Sequence, residues 1–287
     1  MGLAVAMAGL VLTACAVAKT PEPQAENPAD GTLPERIVDA GEIVAATNAT
    51  YPPIEYFDTD NKTIIGFDPD LGAAIGKELG VPVRFINVTD LESIIPGLAS
   101  GRYDIAMSFN SDIKERYNQV NFVDYFSDGA LLVVKKGNPE GIKSFADLCG
   151  KTVVVQKGSL SEVTPAEMQD AECKKASKPG LDIVQLPQAT DKQLQVQSGR
   201  AAAAITNVSN ATFQVAAAPD RFEIVGEPVT PPGSLIGIGI PARETQLRDA
   251  IQAALKKVIA SGEYDRLIEK YGLQSGALKT AQINGDR

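Results

Sequence analysis

Between Glu42 and Tyr271 the chain alternates between short β-branched or small-residue runs and segments with apolar residues at helical spacing. Alternation of this kind admits few architectures, because strand–helix–strand units build an α/β protein with largely parallel sheets. Strands are predicted at Glu42–Asn48, Val83–Val88, Tyr103–Ser108, Ala130–Lys135, Thr152–Gln156, Asp182–Leu186, Ala202–Thr206, Phe222–Val225 and Leu235–Ile240. After a short extended run, Asp68-Pro69 opens a helix: Asp can cap it and Pro suits its first position. That helix carries Leu71, Ile75 and Leu79 on one face and stops at Gly80. Further helices are predicted at Leu91–Ser100, at Ile113–Asn118, after Gly158-Ser159, at Asp191–Gln197 and at Ser209–Ala217. Two amphipathic helices end the pattern, one with Leu247, Ile251, Leu255, Val258 and Ile259, the other with Tyr264, Leu267, Ile268 and Tyr271. The elements fall into two β/α groups that part between about residues 127 and 131, and the last helices follow Ile240. Two lobes with two chain crossings leave a cleft, and small-molecule sites favour such interfaces and the carboxyl ends of strands.

The N-terminus reads MGLAVAMAGLVLTAC, an apolar run too short to span a bilayer and ending in small residues. Leu12-Thr13-Ala14-Cys15 resembles a bacterial lipobox, which predicts a signal peptide over residues 1–15 and lipidation of Cys15. The Lys/Arg segment that usually precedes such a run is missing, and the alternative is a frayed apolar end whose Cys has no role. Residues 16–33 hold three prolines and few bulky apolar side chains, so they read as a flexible tether. This places the protein at the cell surface or in the periplasm, held to the membrane by lipid. In an exported chain Cys149 and Cys173, 24 positions apart, suggest one disulfide, with two free buried thiols as the other reading. The net charge of −9 argues against nucleic acid as a partner. There is no His, so the commonest general base and metal ligand is absent, and no metal or cofactor is expected.

Several short segments then fall in a recognisable order. They are Tyr51-Pro52-Pro53-Ile54-Glu55-Tyr56, Ile65-Gly66-Phe67-Asp68 with Asp70-Leu71, and Ile94-Ile95-Pro96-Gly97-Leu98 with Gly101-Arg102-Tyr103-Asp104. Arg116 with Phe122-Val123-Asp124-Tyr125, Gly262-Glu263-Tyr264 and Tyr271-Gly272 complete the series. Together these segments resemble the polar-amino-acid-binding proteins of ABC importers, over about Glu42 to Gly272. The resemblance implies a two-lobed, periplasmic-binding-protein-like α/β fold of type II that closes on its ligand. It places lobe one at residues 34–126 and 241–287 and lobe two at residues 131–235. It also implies a monomer, working with an importer permease and its ATPase, that carries no enzymatic activity.

The resemblance further implies that Arg116, aided by Ser111, holds an amino acid's α-carboxylate. A guanidinium offers a rigid fork of donors that matches a carboxylate and does not deprotonate. On its own, Arg116 reads equally as a solvated helix arginine. Ser159 begins a helix whose N–H groups suit an anion, though the same residues make an ordinary cap. Tyr51 and Leu91 fall where the family places apolar residues around the ligand side chain, and either also reads as core. Phe109 belongs to the same expected wall. Two positions depart from the family's usual Asp: Asn207, which would meet the ligand's α-ammonium, and Asn48, near its side chain. Their lost charges point to an acidic or N-substituted amino acid or an organic acid, unless Glu55, Glu92 or Asp112 supplies the charge instead. Two other classes remain open at this level: an exported enzyme of the cyclohexadienyl-dehydratase type on the same fold, and a ligand-sensing surface protein.

Overall fold

The computed structural model describes residues 1–2, 32–231 and 234–285. The lipobox with Cys15 and most of the tether lie outside the described residues. In chain order the first elements are α1 (Glu35–Ala40), β1 (Ile43–Thr47), β2 (Thr50–Tyr51), β3 (Glu55–Phe57), β4 (Ile64–Ile65) and α2 (Phe67–Leu79). Next come β5 (Val83–Asn87), α3 (Ile94–Ala99), β6 (Ile105–Ala106), β7 (Val120–Ser127), β8 (Ala130–Lys135), β9 (Thr152–Gln156) and α4 (Leu160–Lys175). The series continues with β10 (Asp182–Leu186), α5 (Asp191–Gln197), β11 (Ala203–Asn207), α6 (Val208–Ala217) and β12 (Phe222–Val229). It ends with β13 (Leu235–Pro241), α7 (Thr245–Ala260) and α8 (Glu263–Tyr271).

The strands form two five-stranded sheets, ordered β5-β1-β6-β13-β7 and β10-β9-β11-β8-β12, and a small sheet β2-β3-β4. Both large sheets are apolar on both faces, as helix-covered parallel strands must be. Ala45, Ile105 and Val123 enter one core while their neighbours Ala46, Ala106 and Phe122 enter another. In the second sheet Val153, Val155 and Leu132 divide in the same way from Val154 and Leu131. The α/β class with a cleft between two lobes is the fold observed.

The sheets are more mixed than the alternation predicts. β13 pairs antiparallel with β6 and β7, and β8 pairs antiparallel with β11 and β12. The reason is the double crossing. β7 leads the chain out of the first sheet into β8, and β12 leads it back into β13. Outgoing and returning strands lie side by side in opposite directions. Two other expectations change. β7 was not predicted as a strand, since it is buried along nearly its whole length and shows no alternation. The helix expected from Leu91 begins as a 3₁₀ turn at Leu91–Ser93 capped by Asp90, and becomes α-helical at Ile94.

Cys149 and Cys173 are joined by a disulfide that ties the short 3₁₀ helix Phe145–Leu148 to the last turn of α4. No helix among the described residues is long and apolar enough to cross a membrane.

Candidate ligand-binding site

A narrow pocket, with a cavity volume of about 20 Å³, opens between the two sheets. Its wall contains all eight residues singled out above: Asn48, Tyr51, Leu91, Phe109, Ser111, Arg116, Ser159 and Asn207. They arrive from distant parts of the chain because loops at strand ends converge on the cleft. Asn48 follows β1, Phe109 and Ser111 follow β6, Ser159 follows β9, and Asn207 ends β11. Arg116 sits on the 3₁₀ turn Lys114–Arg116, where a helix was predicted.

The Arg116 guanidinium is half-buried, and burial lowers its pKa from the usual value. Its Nη1 donates to the carbonyl of Ser111 at 3.3 Å. No carboxylate stands at ion-pair distance from it among the described residues. On the opposite wall α4 begins at Leu160 with Ser159 as N-cap, and the Ser159 side chain does not cap it. The Ser159 and Ser161 hydroxyls lie 3.2 Å apart. Gly158 lets this helix start come close to the facing lobe. Its φ is +82°, and a Cβ there would lie 2.8 Å from Glu92 Cγ.

Tyr51 links the two walls. Its hydroxyl donates to Asn207 Oδ1 at 2.5 Å and accepts from the Asn207 N–H at 3.3 Å. Asn207 Oδ1 also accepts from Ser161 Oγ at 3.1 Å. The Tyr51 ring packs on Phe109, centroids 5.9 Å apart, and Phe109 holds the left-handed backbone conformation uncommon for a side chain of its size. Asn48 is equally occupied. Its Oδ1 accepts from Thr50 Oγ1 at 2.7 Å and from Gln156 Nε2 at 3.0 Å across the cleft, and its Nδ2 donates to the Val88 carbonyl at 2.7 Å. Leu91, by contrast, is half-exposed at the mouth. Further bridges close the cleft: Gln188 Nε2 donates to Thr89 O at 3.1 Å, and Lys157 pairs with Glu92 at 2.8 Å.

Sequence reasoning did not select Ser108, Asn110, Gln156 or Leu160, which also line the pocket beside Gly158 of the expected Gly158-Ser159 loop. Gln156 was detectable as the last residue of a strand pointing at the cleft, and Ser108 and Asn110 as flanks of Phe109. Of the three carboxylates offered as substitutes for the lost charges, Glu55 lines the pocket and Glu92 is engaged by Lys157. Asp112 is buried outside the lining. Beneath the second wall, Lys192 Nζ contacts Glu162 Oε1 at 2.5 Å and Thr206 Oγ1 at 3.0 Å, all out of water. Lys192 has a lowered pKa because burial outweighs the attraction of Glu162.

Residues 43–274 match the family of bacterial extracellular solute-binding proteins, family 3. The chain belongs to that family. The glutamate/aspartate import solute-binding protein of Salmonella typhimurium is 29% identical to this solute-binding protein over 254 residues, covering 85% of this chain and 80% of its own. An ancestral arginine-binding protein bound to arginine superposes with a TM-score of 0.72 at 36% identity, covering 80% of this chain and 98% of that one. An ancestral amino acid-binding protein described as a precursor of cyclohexadienyl dehydratase superposes at 0.69 with 31% identity, over 82% of this chain and 97% of that one. This solute-binding protein therefore shares a fold with proteins named for ligands of opposite charge.

Proposed function

We propose that this solute-binding protein captures an amino acid or amino-acid derivative by its carboxylate and presents it to an ABC importer. The observation that carries the reading is Arg116, a half-buried guanidinium in the pocket wall with no carboxylate beside it among the described residues. A ligand carboxylate would take the Arg116 fork, with Ser111 beside it and the N–H groups at the start of α4 opposite. Tyr51, Phe109 and Leu91 would flank the rest of the ligand, with Asn48 and Asn207 as neutral walls. Closure of lobe two (131–235) on lobe one (34–126 and 241–287) would bury it. The importer's permease, with its ATPase, would read the closed monomer. The lipobox supports an anchor on Cys15 and a tether over 16–33 that keep the protein at the membrane. Binding without turnover is the proposed activity, so incubation with prephenate is expected to yield no product.

Thermal unfolding of residues 34–287 with a panel of amino acids, opines and small organic acids tests the reading. A ligand at about 100 times its Kd adds ~2.7 kcal/mol, which raises the midpoint by roughly 5–10 °C for a chain of this size. Arg116→Ala is expected to abolish that shift while leaving the ligand-free midpoint within a few degrees. A panel with no active member, or a shift that survives Arg116→Ala, overturns the proposal.

A further inference from the structure

Donors and acceptors are unevenly matched around the pocket. Two donor groups in its wall have capacity left. Among the described residues Arg116 gives one N–H, from Nη1, to the Ser111 carbonyl. Asn110 is 6% exposed, and its Nδ2 has no acceptor. Its backbone holds it in place, because the Asn110 carbonyl accepts from the Gly237 N–H of β13 at 2.9 Å. The groups that could receive a cation are already engaged. Asn207 Oδ1 accepts from Tyr51 and Ser161, and Asn48 Oδ1 from Thr50 and Gln156. Beneath them Glu162 has Lys192 on Oε1 and the Gln156 N–H on Oε2. Glu92 at the mouth is paired with Lys157. Glu55 lines the pocket, but burial, together with the neighbouring Asp68 carboxyl, raises its pKa well above the ordinary range, so it is neutral at pH 7.

Resting on the carboxylate-binding reading above, we propose that the ligand carries no α-ammonium, and that an oxygen at or near its α-carbon accepts from Asn110 Nδ2 while its carboxylate lies on Arg116. The ligand class is then a 2-oxo acid or an N-acylated amino acid rather than a free amino acid, and Asn110 is the residue that selects it. An ammonium enclosed in the cleft would lose its water and find no charged partner and few free acceptors. An oxygen in the same place meets a donor that has no other partner. Asn110 and Ser111 are consecutive, and both line the pocket with Arg116. A carboxylate and an oxygen on the adjoining atoms lie close enough for neighbouring donors to take both. The positive end of α4 on the opposite wall favours the same all-acceptor ligand end.

Calorimetry at pH 7 with matched sets of ligands tests this. One set is L-glutamate, 2-oxoglutarate and N-acetyl-L-glutamate, the second L-leucine, 4-methyl-2-oxopentanoate and N-acetyl-L-leucine, and the third L-arginine and N-acetyl-L-arginine. The sets differ in side chain, so the comparison within each isolates the α-substituent. In the set that binds best, the oxo or N-acetyl member is expected to bind about tenfold or more tightly than the free amino acid, the cost of leaving a buried charge without partners. Which of the two binds separates the oxo from the acylated class. Asn110→Leu is expected to remove most of that advantage by weakening the oxo or N-acetyl member, with the free amino acid little changed. Asn207→Asp, which places an acid beside Tyr51, is expected to shift the preference toward the free amino acid. A free amino acid that binds as tightly as its oxo and N-acetyl partners, or more tightly, overturns the proposal with the unaltered chain alone. An advantage that Asn110→Leu leaves intact overturns the assignment of Asn110. If no member of any set binds, or binding survives Arg116→Ala, the carboxylate-binding reading fails first and this one falls with it.

Discussion

Lys192 and Glu162 are a buried ion pair that supports the pocket from behind, with Tyr51 resting against it. The Tyr51 hydroxyl lies 3.2 Å from Glu162 Oε1, and Lys192 Nζ lies 5.7 Å from the centre of its ring. Glu162 Oε2 also accepts from the Gln156 N–H at 2.6 Å, so the pair fixes the end of β9. Replacing one partner strands the other charge, so Lys192→Met is expected to destabilise the fold by about 3–5 kcal/mol in denaturant unfolding. The double change Lys192→Met with Glu162→Gln should recover much of that loss. Tyr51→Phe tests the link across the cleft. Removing a hydroxyl that serves Asn207 costs about 1–3 kcal/mol of the closed form, which lowers ligand affinity by roughly 5–150-fold, read as a faster off-rate. These side chains were not legible in the sequence. Lys192 belongs to a helix that reads as ordinary and solvated, and nothing local shows that Glu162, 30 positions away, faces it.

At the scale of elements, α2 shows how a local rule yields to tertiary packing. Asp68-Pro69 looks like a cap and a first helical residue, yet the helix begins at Phe67 with Gly66 at the cap. Asp68 is drawn instead into the interior against Tyr125 and Glu55. Phe67 beside it meets Tyr125, Phe126, Tyr264 and Tyr271 at ring-centre distances near 6 Å, from 6.0 to 6.2 Å, and joins α2 to β7 and α8. The helix itself, with Leu71 and Ile75 buried, was legible because its spacing alone demands one apolar face. In the second lobe, α4 carries both the N-terminus at the pocket and the disulfide at its far end. Cys149→Ser with Cys173→Ser reopens a loop of 24 residues and is expected to cost about 3 kcal/mol, read as a lower midpoint in denaturant. Ligand affinity should change little, since the bridge lies at the other end of the helix from Ser159.

Across the whole molecule, acids are buried where the lobes meet and where the chain crosses between them. Asp128, at the first crossing, accepts from Ser209 Oγ at 2.5 Å, and burial raises it to about 6. Asp68 stands at about 7. Both exceed their unfolded values near 3.8, so the stability they contribute is complete below about pH 4 and is lost as pH rises through 6 and 7. The ligand-free protein is therefore expected to lose stability between pH 4 and 8 relative to the double variant Asp68→Asn, Asp128→Asn, and unfolding midpoints across that range measure it. The reverse trend, with the variant declining faster, would show that these carboxyls are ionised at no penalty in the fold.

What the sequence determined by itself is what local periodicity and side-chain chemistry determine. The strand–helix alternation restricted the chain to α/β, and the ordered motifs from Tyr51 to Gly272 marked its family. Arg116 could be singled out because a guanidinium at a motif position matches a carboxylate, and it lines the pocket. Tertiary structure decided the rest. The antiparallel strands arise only because two crossings lie side by side. Asn48 and Asn207 are occupied by other side chains because closure brings Gln156 and Tyr51 onto them. Glu55 becomes the acid of the pocket because packing places it there with Asp68 at its back, whereas Glu92 reaches Lys157 and Asp112 stays outside the lining. A carboxylate's identity is written in the sequence, but its charge depends on which groups and how much water surround it, and those are set only when the two lobes are folded and closed.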